Sequence, residues 1–173
     1  YAEWKKNYSS EMILSLNISA IQYRRHEFVN MILGLIRKYD VSPEEIELEI
    51  TESVLIENFH EVVEKLHVLR AHGIRISLDD FGTGYSSLSY LKGLPIDTLK
   101  IDKSFIDAML NDENARVIIE SIIYMVRKLG FETVAEGVES KEQYDYLKRI
   151  GCDCIQGFLM GRPMSEDKIQ ELL

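Results

Sequence analysis

What this 173-residue chain has little of excludes more than what it has in abundance. It holds two cysteines, Cys152 and Cys154, one residue apart. That spacing suits neither a zinc knuckle nor a Cys-x-x-Cys redox pair, so they read as core thiols of a reducing cytoplasm. No paired His or Cys set is present to favour zinc or copper. No apolar run approaches the ~20 residues needed to cross a bilayer, and residues 1–10, with Lys5 and Lys6, lack the apolar centre of a signal peptide. A cytoplasmic location is expected, with membrane contact only through domains outside this chain. Positive charge is short as well: 20 Lys and Arg stand against 29 Asp and Glu, a net charge of −9. Binding to a nucleic acid polymer needs the opposite balance, and any anionic substrate would need a local cation. The apolar content, 46%, is enough for one substantial core, and no compositional break divides residues 1–173 into two domains.

Along the chain, short alternating stretches take turns with helical stripes. Residues 12–18 (MILSLNI) place Leu14, Leu16 and Ile18 on one face of a strand and Ser15 and Asn17 on the other. A helix over 27–38 follows, with Phe28, Ile32, Leu35 and Ile36 in phase. Ser42-Pro43-Glu44-Glu45 reads as a capped turn, and 46–50 (IELEI) as a strand. Phe59, Val62, Val63, Leu66 and Leu69 mark a helix ending at Gly73, before the strand that carries Asp79 and Asp80. A short helix over 86–92 and a strand over 98–102 (TLKID) come next. The helix 115–129 presents Ile118, Ile119, Ile122, Ile123 and Val126, and leads into the strand 132–136. Ser140 and Gln143 form a capping box for a helix ending at Gly151, 152–158 reads as the last strand, and Ser165 caps a final helix. About six strand–helix alternations imply an α/β fold with a parallel sheet, since each parallel crossover needs a helix.

The polar residues of these strands recur at one position. Asn17, Glu49, Asp79, Lys100, Glu136 and Gln156 lie near the C-terminal ends, with Asp80 next to Asp79, while Leu and Ile hold the opposite parity. In an α/β barrel such ends converge on one mouth. The adjacent carboxylates Asp79 and Asp80 have three plain explanations: an exposed turn, a shared proton or a bound cation. Carboxylates with an amide oxygen form a hard donor set suited to Mg²⁺ or Mn²⁺ and, in a two-ion arrangement, to phosphodiester hydrolysis, with Lys100 placed to orient water or offset charge. Two carboxylates in a barrel also suit a glycosidase, but that reading explains neither Lys100 nor Asn17.

Six motifs in order, LNISA at 16–20, EITE at 49–52, DDFGTGYSSL at 79–88, LKIDKSF at 99–105, AEGVE at 135–139 and QGFLMGRPM at 156–164, resemble the EAL-domain family. That family comprises bacterial phosphodiesterases that open cyclic diguanylate (c-di-GMP) to linear pGpG in second-messenger signalling. The resemblance implies a TIM-like (β/α)8 barrel with two Mg²⁺ or Mn²⁺ ions. Asn17, Glu49 and Asp79 would hold one ion, and Asp79, Asp80 and Glu136 the other. It casts Lys100 and Glu136 as catalytic, Glu139 and Gln156 as supports of substrate and metal ligands, and Glu52 as the anchor of the 81–87 loop, a loop tied in relatives to homodimer formation. The Glu-Ala-Leu strand that names the family is absent, and Tyr1 is not an initiator Met. The expectation is therefore an incomplete barrel, the C-terminal three quarters of the domain, with the first two strands missing and residues 1–173 inactive alone for want of that glutamate. The alternative is a catalytically incomplete module that senses c-di-GMP or acts as a dimerisation scaffold.

Overall fold

The computed structural model describes residues 1–7, 12–57, 59–82, 91–165 and 168–169. Helix α1 (Ala2–Asn7) precedes strand β1 (Leu14–Ile18), the one-turn helix α2 (Ala20–Tyr23) and helix α3 (Phe28–Tyr39). A 3-10 turn (Pro43–Glu45) leads into β2 (Ile46–Thr51), α4 (Glu52–Glu57), α5 (Phe59–Ala71) and β3 (Arg75–Phe81). Then come β4 (Thr98–Ile101), α6 (Lys103–Ala108), α7 (Glu113–Leu129), β5 (Glu132–Ala135), α8 (Lys141–Ile150) and β6 (Cys154–Ile155). The expected helix over 86–92 and the helix capped by Ser165 fall largely outside the described residues.

The six strands are parallel and pair in chain order, β1-β2-β3-β4-β5-β6. A doubly wound sheet reverses its order at a switch point; an unreversed order is the winding of a barrel wall. The curl is visible in the side chains. Thr98 of β4 donates from Oγ1 to Glu47 of β2 at 2.9 Å, across the intervening β3. On a flat sheet those strands would stand about 9–10 Å apart, beyond the reach of a threonine. Parity then decides which side meets helices. Ile46, Leu48, Ile50, Ile76, Leu78, Leu99 and Ile101 are at most 5% exposed and join Leu66, Leu69, Ile119 and Val126 in one core. The other parity faces the concave side.

Local signals explain most boundaries. Ser140 accepts from the Gln143 amide while Gln143 reaches back to the Ser140 amide, completing the expected box, and α8 ends on Gly151 in the left-handed region. At Ser42 no side-chain cap forms, and the Glu45 carboxylate pairs with Lys5 at 2.5 Å. The helix α7 buries Ala115, Ile119, Ile122, Ile123 and Val126, whereas Ile118 is exposed, one position off that stripe. The last strand is two residues long rather than the seven of 152–158. Val138 and Gln156 bond through their backbones, Leu159 N–H donates to Val138 O, and the chain turns at Gly157. Only one cysteine meets the core: Cys152 is half-buried and packs against it, whereas Cys154 is exposed, since it takes the inward parity on a strand paired on one side only among the described residues.

Candidate active site

Two tiers of charge line the concave face. The lower tier was not foreseen from the sequence. Arg75 of β3 donates to Glu132 of β5 at 2.5 Å and lies 3.6 Å from Glu47 of β2. Glu47 also accepts from Thr98 and from Ser15 of β1 at 3.1 Å. The signal was present, because these residues share the parity of Glu49, Ser77 and Lys100 two positions further on.

The upper tier lies at the C-terminal strand ends. Lys100 leaves β4 into the concavity and is 4% exposed. Its Nζ meets three carboxylates: Glu136 Oε1 at 2.7 Å, Glu49 Oε2 at 2.9 Å and Asp79 Oδ1 at 3.2 Å. Three carboxylates around one buried ammonium are tolerable because the ammonium offsets their desolvation and mutual repulsion while they offset its own desolvation. Burial by itself would lower the Lys100 pKa; its hydrogen bonds to Glu136 and Glu49 outweigh that and move it upward, so the ammonium stays charged. Burial raises Glu136 above the ordinary carboxylate value; Lys100 opposes that shift, and Asp79 and Glu49 add to it. Asp80 is raised too, by burial first and then by the negative charges of Asp79 and Asp102.

Asp80 takes φ 57°, in the left-handed region, while its amide bonds the Asp79 carboxylate at 3.0 Å. A non-glycine residue there is held at some cost, a pattern that gathers at functional sites. The turn brings carboxylate oxygens of Asp79, Asp80 and Glu136 within 4.8 Å of one another. Hard oxygens at that spacing, with partly raised pKa values and excess negative charge, fit an Mg²⁺-like ion.

The other expected site residues divide. Asn17 is in register with Glu49 on the neighbouring strand, and its side chain is exposed. Gln156 follows β6 as Glu136 follows β5, its amide bonded to Ala135 O at 2.8 Å. Among the described residues no side-chain bond joins Asn17 or Gln156 to the cluster. Glu139 stands apart from it and pairs with Lys103 at 3.0 Å. Glu52 is 6% exposed, with both carboxylate oxygens buried and without a hydrogen bond among the described residues. The loop it was expected to anchor, 81–87, lies mostly outside the described residues.

The fold and site place the chain in the class of barrel-type parallel α/β proteins whose strand ends gather acidic residues around a lysine. Within that class the chain belongs to the EAL domain family, whose model matches residues 1–163. It is 38% identical over 166 residues to the bifunctional diguanylate cyclase/cyclic di-GMP phosphodiesterase MucR of Pseudomonas aeruginosa, covering 96% of this chain and 24% of that protein. The structure of the MucR phosphodiesterase in complex with c-di-GMP superposes with a TM-score of 0.92 at 38% identity, over 97% of this chain and 68% of that one. The EAL domain of Mycobacterium smegmatis DcpA gives 0.94 at 36% identity, over 99% and 78%. Klebsiella pneumoniae BlrP1, in a manganese and c-di-GMP complex, gives 0.84 at 29%, over 94% and 42%. The chain thus spans a fifth to a quarter of curated relatives it matches, 21% of one and 24% of another. Among the described residues no helix is long and apolar enough to cross a membrane.

Proposed function

We propose that this chain forms part of a metal-dependent phosphodiesterase that hydrolyses c-di-GMP to linear pGpG in bacterial second-messenger signalling. The observation that carries the reading is Lys100, buried among Glu49, Asp79 and Glu136 at the strand ends, in a chain of the EAL family. Asp79, Asp80 and Glu136 would hold one Mg²⁺ or Mn²⁺ ion, and Asn17, Glu49 and Asp79 a second. Such ions, when bound, polarise the phosphodiester and make water a stronger nucleophile.

The chain's own groups supply the rest. Glu136, with its raised pKa, is suited to take the proton from water as it attacks phosphorus and the ring P–O bond breaks. Lys100 stays cationic and offsets charge that builds on the phosphoryl oxygens. Gln156 and Glu139, on the rim, would contact substrate or support the ligands, and Glu52 would brace the 81–87 loop at a homodimer contact. A cytoplasmic location goes with this reading.

The test is c-di-GMP hydrolysis by the full-length protein with Mn²⁺, read as linear product by chromatography. Asp79→Asn should abolish turnover with the fold intact, since it removes a charge shared by both proposed ions. Normal turnover by that variant at limiting metal would sink the assignment.

A further inference from the structure

The segment that carries Glu136 is held from several sides, and one hold is not accounted for by the site. Glu136 N–H donates to Ile101 O at 3.1 Å and Val138 N–H to Gln156 O at 3.0 Å, which tie the segment to β4 and to the end of β6. Gln143 accepts from the Glu139 and Ser140 amides at 2.8 and 3.0 Å. Between these bonds lies Gly137, at φ 68°. A Cβ there would overlap Lys103 Cγ and lie 2.5 Å from its Cδ and 2.8 Å from its Cβ. The aliphatic stem of Lys103, at the first position of α6, is therefore laid directly on the Gly137 backbone. Beyond the stem its Nζ bonds Asp107 at 2.7 Å and Glu139 at 3.0 Å.

We propose that Lys103 is a positioning residue, whose stem, seated on Gly137, fixes the Glu136 carboxylate against Lys100 and the Asp79–Asp80 pair. The ion pairs are half-exposed, so they contribute little by themselves. The packed stem acts instead, because long side chains stabilise through their methylenes as well as their charge. The geometry also explains two residue types at once: glycine at 137 for lack of a Cβ, and a long unbranched stem at 103. Lys103 Cβ is fixed by its backbone, so an added Cβ at 137 cannot be relieved wholly by rotating the lysine, and the segment must move. Glu136 is the adjacent residue. Moving a catalytic group by about 1 Å costs up to 10²-fold in rate.

The kinetic part of this inference rests on the proposed phosphodiesterase reading; the metal-binding part does not. The experiment measures Mn²⁺ affinity by calorimetry, and kcat and KM for c-di-GMP, in full-length Gly137→Ala, Lys103→Ala, Lys103→Met and Lys103→Ala/Gly137→Ala. Gly137→Ala should lose about 10- to 100-fold in kcat with KM little changed, and bind Mn²⁺ more weakly. The double variant, relieved of the two closest contacts but keeping the residue-103 Cβ at 2.8 Å and the φ of 68°, should regain part of both losses and perform no better than Lys103→Ala. Lys103→Met, which keeps the stem and drops the charge, should recover what Lys103→Ala loses. If Gly137→Ala fails to fold, the paired Lys103 variants still decide. A Gly137→Ala defect undiminished in the double variant, or Lys103→Met as impaired as Lys103→Ala, would overturn the positioning role. Absence of turnover in every protein, including the unaltered one, would count against the phosphodiesterase reading, and the Mn²⁺ affinities would still decide for or against Lys103.

Discussion

Lys100 Nζ lies 2.7 Å from Glu136 Oε1, although Glu136 lies just past β5, the neighbour of β4, and is not the residue in register with Lys100; Lys100 is paired with Val134. The contact exists because the curled sheet points both side chains into one concavity. It makes a single ammonium the counter-charge for carboxylates of three other strands.

Lys100→Met tests that arrangement without altering its bulk much. Removing the cation leaves Glu49, Asp79 and Glu136 buried together with no offset, and breaking a buried ionic network typically costs roughly 3–5 kcal/mol. Urea unfolding of the metal-free protein should show a lower midpoint, partly recovered by Mn²⁺. An unchanged midpoint would mean that the network holds nothing together.

The pH dependence of metal-free stability follows from Asp80 and Glu136. Both have folded-state pKa values above their ordinary 3.8 and 4.5. The folded state therefore holds these protons more tightly than the unfolded state. Their contribution is fully present below the ordinary values and is lost as pH rises through the raised ones. Thermal melting should shift upward as pH is lowered from neutrality toward the carboxylate range, and saturating Mn²⁺ should flatten the trend. A melting temperature that only falls over that interval would contradict the assigned shifts.

Glu52 separates stability from function. Among the described residues its carboxylate is buried with neither oxygen bonded, an arrangement that costs stability. Glu52→Met should raise stability by about 1 kcal/mol or more. If the carboxylate anchors the 81–87 loop as proposed, the same change should lower turnover. Lower stability in Glu52→Met would show that the carboxylate has a stabilising partner.

Edge strand β1 predicts how residues 1–173 behave in isolation. Among the described residues β1 pairs on one side only, with β2. Beside it lies an apolar cavity of about 410 Å³ lined by Leu14, Leu16, Ile32, Leu35 and Tyr39. Unpaired edges next to apolar surface invite strand addition by another copy. Light scattering should show mass rising with concentration, and Leu16→Lys should reduce it. A strictly monomeric protein at all concentrations would refute the prediction.

The sequence by itself settled what is local. Alternation in 46–50 and 75–79 assigned each side chain to a face; the Ser140–Gln143 pair and Gly151 bounded α8; and the polar strand ends, Asn17 through Gln156, marked one rim. Such features depend on spacing within a few residues. Tertiary structure alone decided the meetings: Lys100 with three carboxylates, Arg75 with Glu47 and Glu132, and the Lys103 stem on Gly137. It also left Asn17, Glu139 and Gln156 outside the bonded cluster and cut the last strand to two residues. Period-two alternation names the face a side chain points to. Which partners it meets there depends on the curl and register of the sheet, and these are set by packing between residues far apart in the chain.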